Sequence, residues 1–422
     1  MQSADLLITN IGELATPEGG VALSGAALGS VSRVRGAAIA VRGDRIVAVG
    51  PEGEVRAEWD AELEIDAQGG LAIPGFVDSH THPVFSGTRE DEFEMRVAGK
   101  TYVEISQAGG GILSSVRGVR GASEEELLAD LLPRLDRFLA MGTTTVESKT
   151  GYGLTHEDEM KCLRVIATAN RMHAVELVPT FLGAHDFPLE YRERKSEYVE
   201  LLLNEMLPAV AESGLAEYCD VFTEAHVYDL EQSRRLMQRG RELGLGVRMH
   251  VDQLSSGGGA QLAAELGAAS ADHLECVTPE GIEALAEAGV IPVLCPLVPL
   301  YLRVEPEAPA RRMIEAGLAP ALATDYNPGS CYVQSMPEVL TWAALRYGMS
   351  AGEGLTAATL NAASSLGRAD RLGTLEVGKQ ADIALLDLEN LSFLTYEFGR
   401  NPVRKVIKAG VLVHERPAGV IV

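Results

Sequence analysis

The sequence predicts an α/β protein, a closed (β/α)8 TIM-like barrel with a small β-sandwich built from its N- and C-terminal segments. The first observation is that short apolar runs alternate with amphipathic helical stretches between residues 74 and 371. The second is that the segments before and after this region carry alternating β-like runs instead. We therefore divide the chain into segments 1–73, 74–371 and 372–422.

Segment 1–73 predicts the N-terminal part of the sandwich. Runs such as Ala38-Ile-Ala-Val41 and Arg45-Ile-Val-Ala-Val49 are separated by Gly and Asp, which are typical turn residues. Segment 372–422 returns to runs of this kind, such as Val403-Arg-Lys-Val-Ile-Lys408. We expect both ends of the chain to join in one small domain beside the barrel.

The middle segment contains eight strand candidates, the number that a closed parallel barrel needs. Helical patterns between them cover, among others, residues 123–141, 191–213, 230–243 and 278–288. Functional groups of such barrels lie at the carboxyl ends of the strands. The strand candidates are 75–79, 143–147, 174–180, 219–223, 246–250, 270–274, 290–294 and 319–323.

Composition limits the partners and the compartment. The net charge of −24 repels nucleic acid and anionic membrane surfaces, so we expect neither as a partner. The five cysteines are scattered and form no C-x-x-C pair, which favours a reducing compartment. The first twenty residues lack the pattern of a signal peptide. We therefore expect a cytoplasmic protein with a small-molecule substrate.

Ionisable residues collect at the predicted strand ends. Six of the nine histidines fall there, and His80 and His82 form an H-x-H pair directly after the first barrel strand. Side chains two residues apart on a strand share a face, so these two imidazoles can bind one metal ion. The other four are His185, His226, His250 and His273.

This arrangement resembles the amidohydrolase superfamily, in which an H-x-H on strand 1, a His on strand 5, a His on strand 6 and an Asp on strand 8 surround the metal. Longer stretches resemble the imidazolonepropionase family, whose members open the imidazolone ring in histidine degradation. They are Gly87-Thr-Arg-Glu-Asp-Glu-Phe, Gly109-Gly-Gly-Ile-Leu, Glu147-Ser-Lys-Thr-Gly-Tyr-Gly-Leu154, Phe181-Leu-Gly-Ala-His-Asp186 and Asp325-Tyr-Asn-Pro-Gly-Ser330.

The resemblance implies a metal site formed by His80, His82, His250 and Asp325. Three imidazoles and one carboxylate suit a single Zn²⁺ or iron ion, divalent or trivalent, with one position left for water. Relatives with two metal ions need a lysine after strand 4, where this chain has Phe222-Thr-Glu-Ala-His226. We therefore expect one metal ion per chain. For Lys149, on strand 2, we expect a structural or electrostatic role.

The implied reaction is hydrolysis of 4-imidazolone-5-propanoate to N-formimidoyl-L-glutamate. A metal ion lowers the pKa of water, the activated water attacks the ring carbonyl carbon, and a nearby base takes the remaining proton. Asp325 and His273 are the candidate catalytic residues. Gln253 stands where several deaminases of the superfamily carry a proton-shuttling Glu, and a glutamine amide cannot shuttle protons.

The resemblance also implies contacts with the substrate. Arg89 follows the H-x-H pair and can bind the propionate carboxylate through two hydrogen bonds. A salt bridge with Glu90 or Asp91 is the alternative for this arginine. The other expected substrate contacts are Tyr152, His185, Gln253, Asn327, Gly329 and Ser330. Members of the resembled family form homodimers, which we also expect here.

Two other functions stay open at this point. A deaminase or cyclic amidase acting on a neutral ring fits less well with Gln253 and has no use for Arg89. A barrel that has lost its activity would lack at least one metal ligand, and none is missing from the sequence. For Glu224 and His226 we expect support of the site from outside the ligand set.

Overall fold

In the computed structural model, which describes residues 1–100, 104–105 and 109–417, the chain forms two sheets. One is a parallel barrel and the other a mixed sheet made from both ends of the chain, so the predicted fold class is confirmed. Residues 418–422 of the predicted C-terminal segment lie outside the described residues. The domain boundaries after residues 73 and 371 stay a prediction.

The barrel strands follow one another around the sheet in chain order, each parallel to its neighbours. Each of the eight overlaps the strand predicted for it. They are β6 (Phe76–Asp78), β7 (Thr143–Lys149), β8 (Glu176–Ala184), β9 (Tyr218–Thr223), β10 (Gly246–Val251), β11 (Ser270–His273), β12 (Ile291–Leu294) and β13 (Ala321–Leu322).

The barrel closes just beyond β6 and β13. Thr81 and Tyr326 form a parallel bridge there. On either side of it, the Asp325 amide donates to the His80 carbonyl at 3.0 Å and the His82 amide donates to the Tyr326 carbonyl at 2.8 Å. Closure of the barrel thus brings the H-x-H pair beside the end of the eighth strand. Next to it the Thr324 amide donates to Asp78 Oδ1, although the two residues are 246 positions apart in the chain.

Helices surround the barrel strands, and several of them begin at a side chain that caps the first turn. The predicted helix 123–141 begins at a Ser123 capping box and spans Glu124–Ala140. The predicted 191–213 begins later and contains a π-helical turn, Leu202–Met206. The helices are Glu52–Glu58, Glu90–Val97, Ile112–Gly121, Glu124–Ala140, His156–Met172, Lys195–Leu201, Leu207–Ser213, Leu230–Glu242, Gly259–Leu266, Pro279–Ala288, Val298–Leu302, Ala310–Glu315, Met336–Tyr347, Ala351–Thr356, Ala362–Ser365 and Phe393–Tyr396.

The second sheet combines N- and C-terminal strands, as predicted. Its strand β5 (Leu71–Pro74) lies between β1 (Gln2–Thr16) and β14 (Ile383–Leu386), so the two ends of the chain meet side by side. β1 bends at Asn10 and pairs β4 (Trp59–Asp66) along its first half and β5 along its second. The strands are β1 (Gln2–Thr16), β2 (Ser32–Arg42), β3 (Arg45–Pro51), β4 (Trp59–Asp66), β5 (Leu71–Pro74), β14 (Ile383–Leu386), β15 (Val403–Lys408) and β16 (Val411–Glu415).

The sandwich has a core of its own. Leu6 and Ile8 from β1 share one buried cluster with Ile383, Leu385 and Ile407 from the C-terminal strands. These aliphatic side chains come from both ends of the chain, and burying them against one another stabilises the contact between the two ends through the hydrophobic effect. The sandwich is therefore held together by both termini.

An ion-pair cluster joins the sandwich to the lower end of the barrel. Glu176, at the start of β8, accepts from the guanidinium of Arg371 and lies 3.3 Å from Arg368 Nε and 3.5 Å from Lys408 Nζ. Burial raises the pKa of Glu176, but the hydrogen bond from Arg371 and the charges of Lys408 and Arg368 outweigh it, so its pKa lies below the ordinary value.

No helix of the described residues is long and apolar enough to cross a membrane.

Candidate metal centre and active site

Four side chains from three separate strand ends converge at the top of the barrel. His250 Nε2 lies 3.4 Å from His82 Nε2. Asp325 Oδ1 lies 3.5 Å from both His80 Nε2 and His82 Nε2. All four are buried. The expected ligand set is thus brought together with its potential donor atoms facing one another.

The spacing of these atoms suits a metal ion. Ligands about 2.1 Å from an ion at tetrahedral angles lie about 3.4 Å from one another. His80 Nε2 is fully buried and has no hydrogen-bond partner among the described residues, which is costly unless something else binds it. Burial lowers the pKa values of His80 and His82 well below the ordinary value for histidine, and it also lowers the pKa of His250. The neutral imidazole is the form that binds metal.

Two buried carboxylates fix the orientation of two of these imidazoles. Asp272 Oδ2 lies 2.7 Å from His80 Nδ1, and Asp220 Oδ2 lies 2.9 Å from His250 Nδ1. An ionised carboxylate only accepts, so Nδ1 carries the proton in each ring and Nε2 presents its lone pair to the centre. Sequence reasoning did not assign a role to either aspartate.

His273 lies beside the four side chains on the next strand end. Its ring centre is 5.0 Å from that of His80, and Glu275 Oε1 lies 3.7 Å from its Nδ1. Burial lowers the pKa of His273, but Glu275 and Asp325 outweigh burial and raise it above the ordinary value. The structure thus places a basic imidazole next to Asp325, where proton transfer can occur.

The backbone is strained at two of these positions. His273 has φ +81° and Asp325 has φ +49°, both in the region that favours glycine. Such conformations cost on the order of 1–3 kcal/mol each and are concentrated at functional sites. Here they turn the side chains inward at the points where β11 and β13 end.

The centre opens into one cavity of about 390 Å³, a size typical of small-molecule sites. All of the predicted site residues except His80 line it. They are His82, Arg89, Tyr152, His185, His250, Gln253, His273, Asp325, Asn327, Gly329 and Ser330.

Arg89 forms its ion pair inside this cavity with Glu92, neither with Glu90 nor with Asp91. Its Nε and Nη2 atoms donate to Glu92 Oε2 at 3.0 and 2.7 Å. Glu92 also accepts from the Gly111 amide at 3.1 Å, which ties Arg89 to the glycine-rich loop. A Cβ at Gly329 would collide with the Arg89 guanidinium, so glycine at this position lets the guanidinium lie directly against the backbone.

Asn327 organises the loop after β13. Its Oδ1 accepts from the amides of Gly329 and Ser330 at 2.8 and 2.7 Å, and its Nδ2 donates to the Asp325 carbonyl at 2.7 Å. Ser330 Oγ lies 3.4 Å from Asp325 Oδ2. The loop geometry thereby fixes both Asp325 and the wall of the cavity.

His185 and Tyr152 form another wall. The His185 ring stacks on that of His82 with 5.1 Å between centres, and the Tyr152 ring lies 5.3 Å from it. His185 Nδ1 lies 3.0 Å from the Gly151 carbonyl, an acceptor, so Nδ1 carries the proton. Burial lowers the pKa of His185 to about 3. Its Nε2 is therefore an acceptor facing the cavity.

Glu224 and His226, the two residues expected to support the site, differ in their burial and contacts. Glu224 is buried and accepts from the amide of Leu254 at 2.7 Å and the hydroxyl of Ser255 at 2.5 Å, which holds the loop that follows Gln253. His226 is exposed, with its ring centre 6.0 Å from that of Phe222. The structure does not bring His226 into the metal centre.

Comparison with known families and proteins gives consistent matches. Residues 71–413 match the model described as amidohydrolase family, and residues 37–61 match that of an imidazolonepropionase-like composite domain of bacteria. An imidazolonepropionase of Symbiobacterium thermophilum is 49% identical over 98% of both chains. One from Porphyromonas gingivalis is 45% identical over 97% of both, and one from Clostridium tetani is 41% identical over 99% of this chain and 100% of the relative.

Solved structures share the fold at lower identity. A triazine hydrolase variant superimposes with a TM-score of 0.74 at 19% identity, covering 98% of this chain and 95% of its own. Guanine deaminase from E. coli gives 0.73 at 15% identity, covering 97% and 100%. A zinc-bound adenosine deaminase from Xanthomonas campestris gives 0.68 at 23% identity, covering 97% and 93%.

Proposed function

This chain belongs to the amidohydrolase family and, within it, to the imidazolonepropionases, and we propose that it opens the ring of 4-imidazolone-5-propanoate at the centre formed by His80, His82, His250 and Asp325. The product is N-formimidoyl-L-glutamate, and the reaction is a hydrolysis in histidine degradation. The observation that carries the assignment is 41–49% identity over nearly the whole chain to relatives of that name.

The four side chains at the centre hold one metal ion, either Zn²⁺ or iron. When bound, such an ion polarises the carbonyl group and lowers the pKa of water so that it can act as the nucleophile. The 3.4–3.5 Å distances between donor atoms support this assignment. Asp272 and Asp220 keep His80 and His250 in the tautomer that binds through Nε2.

Water adds to the ring carbonyl carbon, and the bond between that carbon and the ring nitrogen breaks. One proton has to leave the water and one has to reach the departing nitrogen. Asp325 faces the centre and is the acceptor for the first proton. His273, beside it, donates a hydrogen bond to the carbonyl oxygen or relays the proton to the nitrogen.

The propionate side chain of the substrate lies against Arg89. The Arg89 guanidinium is at the cavity wall, and its pairing with Glu92 through Nε and Nη2 leaves Nη1 for a carboxylate. Gln253, Asn327, Gly329 and Ser330 contact the ring and the opened product. A cation at this place favours an acidic substrate over a neutral ring.

His185 and Tyr152 position the flat ring. With Nδ1 committed to the Gly151 carbonyl, His185 can only accept at Nε2, which suits an N–H of the imidazolone. Tyr152 packs at the side of the same histidine and covers the ring. Together they favour a substrate ring that carries this N–H, because a ring without it leaves His185 Nε2 without a hydrogen-bond donor.

The same proposal includes a cytoplasmic location and a homodimer. The five cysteines are free, which suits a reducing compartment. Several apolar side chains near the cavity mouth are exposed by 40% or more, and burial in a dimer would remove them from water. They are Phe93, Val97, Leu300, Val304 and Tyr332. Sedimentation velocity tests the dimer.

Turnover of imidazolonepropionate is the direct test of this function. Metal-depleted protein is assayed alone and after addition of Zn²⁺ or iron, with separate detection of ring opening and of ammonia. We expect ring opening that depends on metal, and no ammonia. Ammonia release without formimidoylglutamate would support a deaminase, and no turnover with either metal would contradict the proposal.

A further inference from the structure

Lys149 is a fully buried cation beneath the candidate metal centre. It ends β7 and shares a strand face with Glu147, since residues two apart point the same way. Its Nζ lies 2.8 Å from Glu147 Oε1, 2.7 Å from Asp220 Oδ2 and 3.5 Å from Asp272 Oδ2. A buried ammonium is stable only with such partners.

Two of these carboxylates also contact the metal-site histidines. The Asp220 oxygen that faces Lys149 is the atom 2.9 Å from His250 Nδ1. The Asp272 oxygen that faces Lys149 is the atom 2.7 Å from His80 Nδ1. The Lys149 ammonium therefore contacts both aspartates, and each aspartate uses the same oxygen to contact a histidine. The two histidines, His80 and His250, belong to different strand ends.

The charges around Lys149 require it to be cationic. Glu147, Asp220 and Asp272 carry three negative charges, and Arg248 is the second buried cation, 3.5 Å from Asp272 and 3.6 Å from Glu147. Without the ammonium, three buried carboxylates would face a single guanidinium. One of them would then turn away from its present position, because an unpaired buried charge is costly.

A carboxylate that has turned away no longer holds an Nδ1–H. The imidazole next to it then loses its fixed tautomer and orientation, and its Nε2 no longer aims at the centre. We propose that Lys149 is a positioning residue of the metal centre, which keeps Asp220 and Asp272 placed to fix His250 and His80 as ligands. This inference rests on the proposed assignment of these histidines as metal ligands.

Lys408 offers a matched control. It is also buried, and its Nζ lies 2.7 Å from Asp382 and 3.5 Å from Glu176. It belongs to β15 of the sandwich and contacts the opposite end of the barrel strands, through Thr145 at 3.3 Å. Replacing either lysine by methionine removes one buried, carboxylate-paired cation, but only Lys149 lies next to the metal centre.

The experiment measures Zn²⁺ affinity of the metal-free full chain by competition with a chromogenic chelator. We expect K149M to weaken binding about 10- to 100-fold, the range found for residues that orient ligands. K408M should stay within about threefold of the wild type, since distant sites act independently. His82→Ala identifies the binding that belongs to this centre, because it removes one ligand.

A double-mutant cycle separates positioning from general structural support. If Lys149 acts through Asp272, then the loss caused by K149M is smaller in an Asp272→Asn background than in the wild type. Independent, multiplicative losses would contradict action through Asp272. The metal-free variants are compared by circular dichroism, and a K149M protein that does not fold while K408M does would overturn the inference in favour of a folding role.

Failure of this inference is distinguishable from failure of the proposed function. Equal affinity of wild type and K149M, together with loss of binding in H82A, would overturn the role of Lys149 alone. Equal affinity of wild type and H82A would instead show that Zn²⁺ binds elsewhere, and the proposed centre itself would fall.

Discussion

The Nε2 atoms of His82 and His250 lie 3.4 Å apart, although 168 residues separate the two histidines in the chain. Barrel closure explains this proximity, because the ends of β6 and β10 face the same central space. Asp325 Oδ1 completes the arrangement at 3.5 Å from His82 Nε2. The proposed activity requires that these atoms share one metal ion.

Metal removal should destabilise the folded protein. An ion that binds only the native state adds about 2.7 kcal/mol when its free concentration is 100 times its Kd. We therefore expect a chelator to lower the thermal midpoint of the wild type, as measured by calorimetry. His250→Ala should start at the lower midpoint and show no shift with chelator, and a chelator shift in that variant as large as in the wild type would contradict the assignment.

Arg89→Met should weaken binding of the acidic substrate. Loss of a charge-assisted hydrogen bond to the carboxylate is worth about 1.5–3 kcal/mol, so we expect KM to rise about 10- to 100-fold with little change in kcat. Steady-state kinetics with imidazolonepropionate measures this. An imidazolone lacking the propionate chain is the control, and its turnover should not change. Equal effects on both substrates would show that Arg89 does not bind the carboxylate.

His273→Asn should slow the chemical step while leaving the metal bound. Removal of a general acid or base typically costs 10²–10⁴-fold in rate, so we expect kcat to fall by about that factor. Elemental analysis should give the same metal content as the wild type. A fall in metal content that matches the fall in activity would instead make His273 a ligand.

Glu176→Gln should destabilise the junction of barrel and sandwich near neutral pH. The folded-state pKa of Glu176 lies below its ordinary value of 4.5, so its stabilising contribution is present above pH 4.5 and is lost as the pH falls through the folded-state value. We expect a loss of about 1–3 kcal/mol at pH 7 in urea unfolding, and a smaller difference from the wild type below pH 4.5. Glu265→Gln, which removes an exposed pair with Arg234, should cost clearly less, because solvent screens an exposed pair. A loss that is the same at both pH values would contradict the ionic explanation.

Much of the fold follows from local patterns in the sequence. β12 has the sequence Ile-Pro-Val-Leu and is buried at three of its four positions, which agrees with the mostly apolar runs expected of parallel strands covered on both faces. The strand ends could be located because polar residues follow these runs, as at His80 and His250. The π-helical turn Leu202–Met206 could not be foreseen, since its residues continue the helical pattern on both sides.

The supporting carboxylates were harder to recognise than the proposed ligands. Asp220 and Asp272 lie within short strands, where an acidic side chain can point either inward or outward, and a single sequence does not tell which. Their role appears only when His250 and His80 are brought against them by closure of the barrel. The Arg89–Glu92 pair is similar, because the three-residue spacing that joins them depends on where the helix Glu90–Val97 begins.

Anomalous diffraction from crystals of the Zn²⁺-loaded protein, recorded on both sides of the zinc absorption edge, shows whether the four side chains share one metal ion. We predict one anomalous peak per chain, about 2.0–2.2 Å from the Nε2 atoms of His80, His82 and His250 and from a carboxylate oxygen of Asp325. A principal peak outside this centre, or one that His250 or Asp325 does not reach, would contradict it.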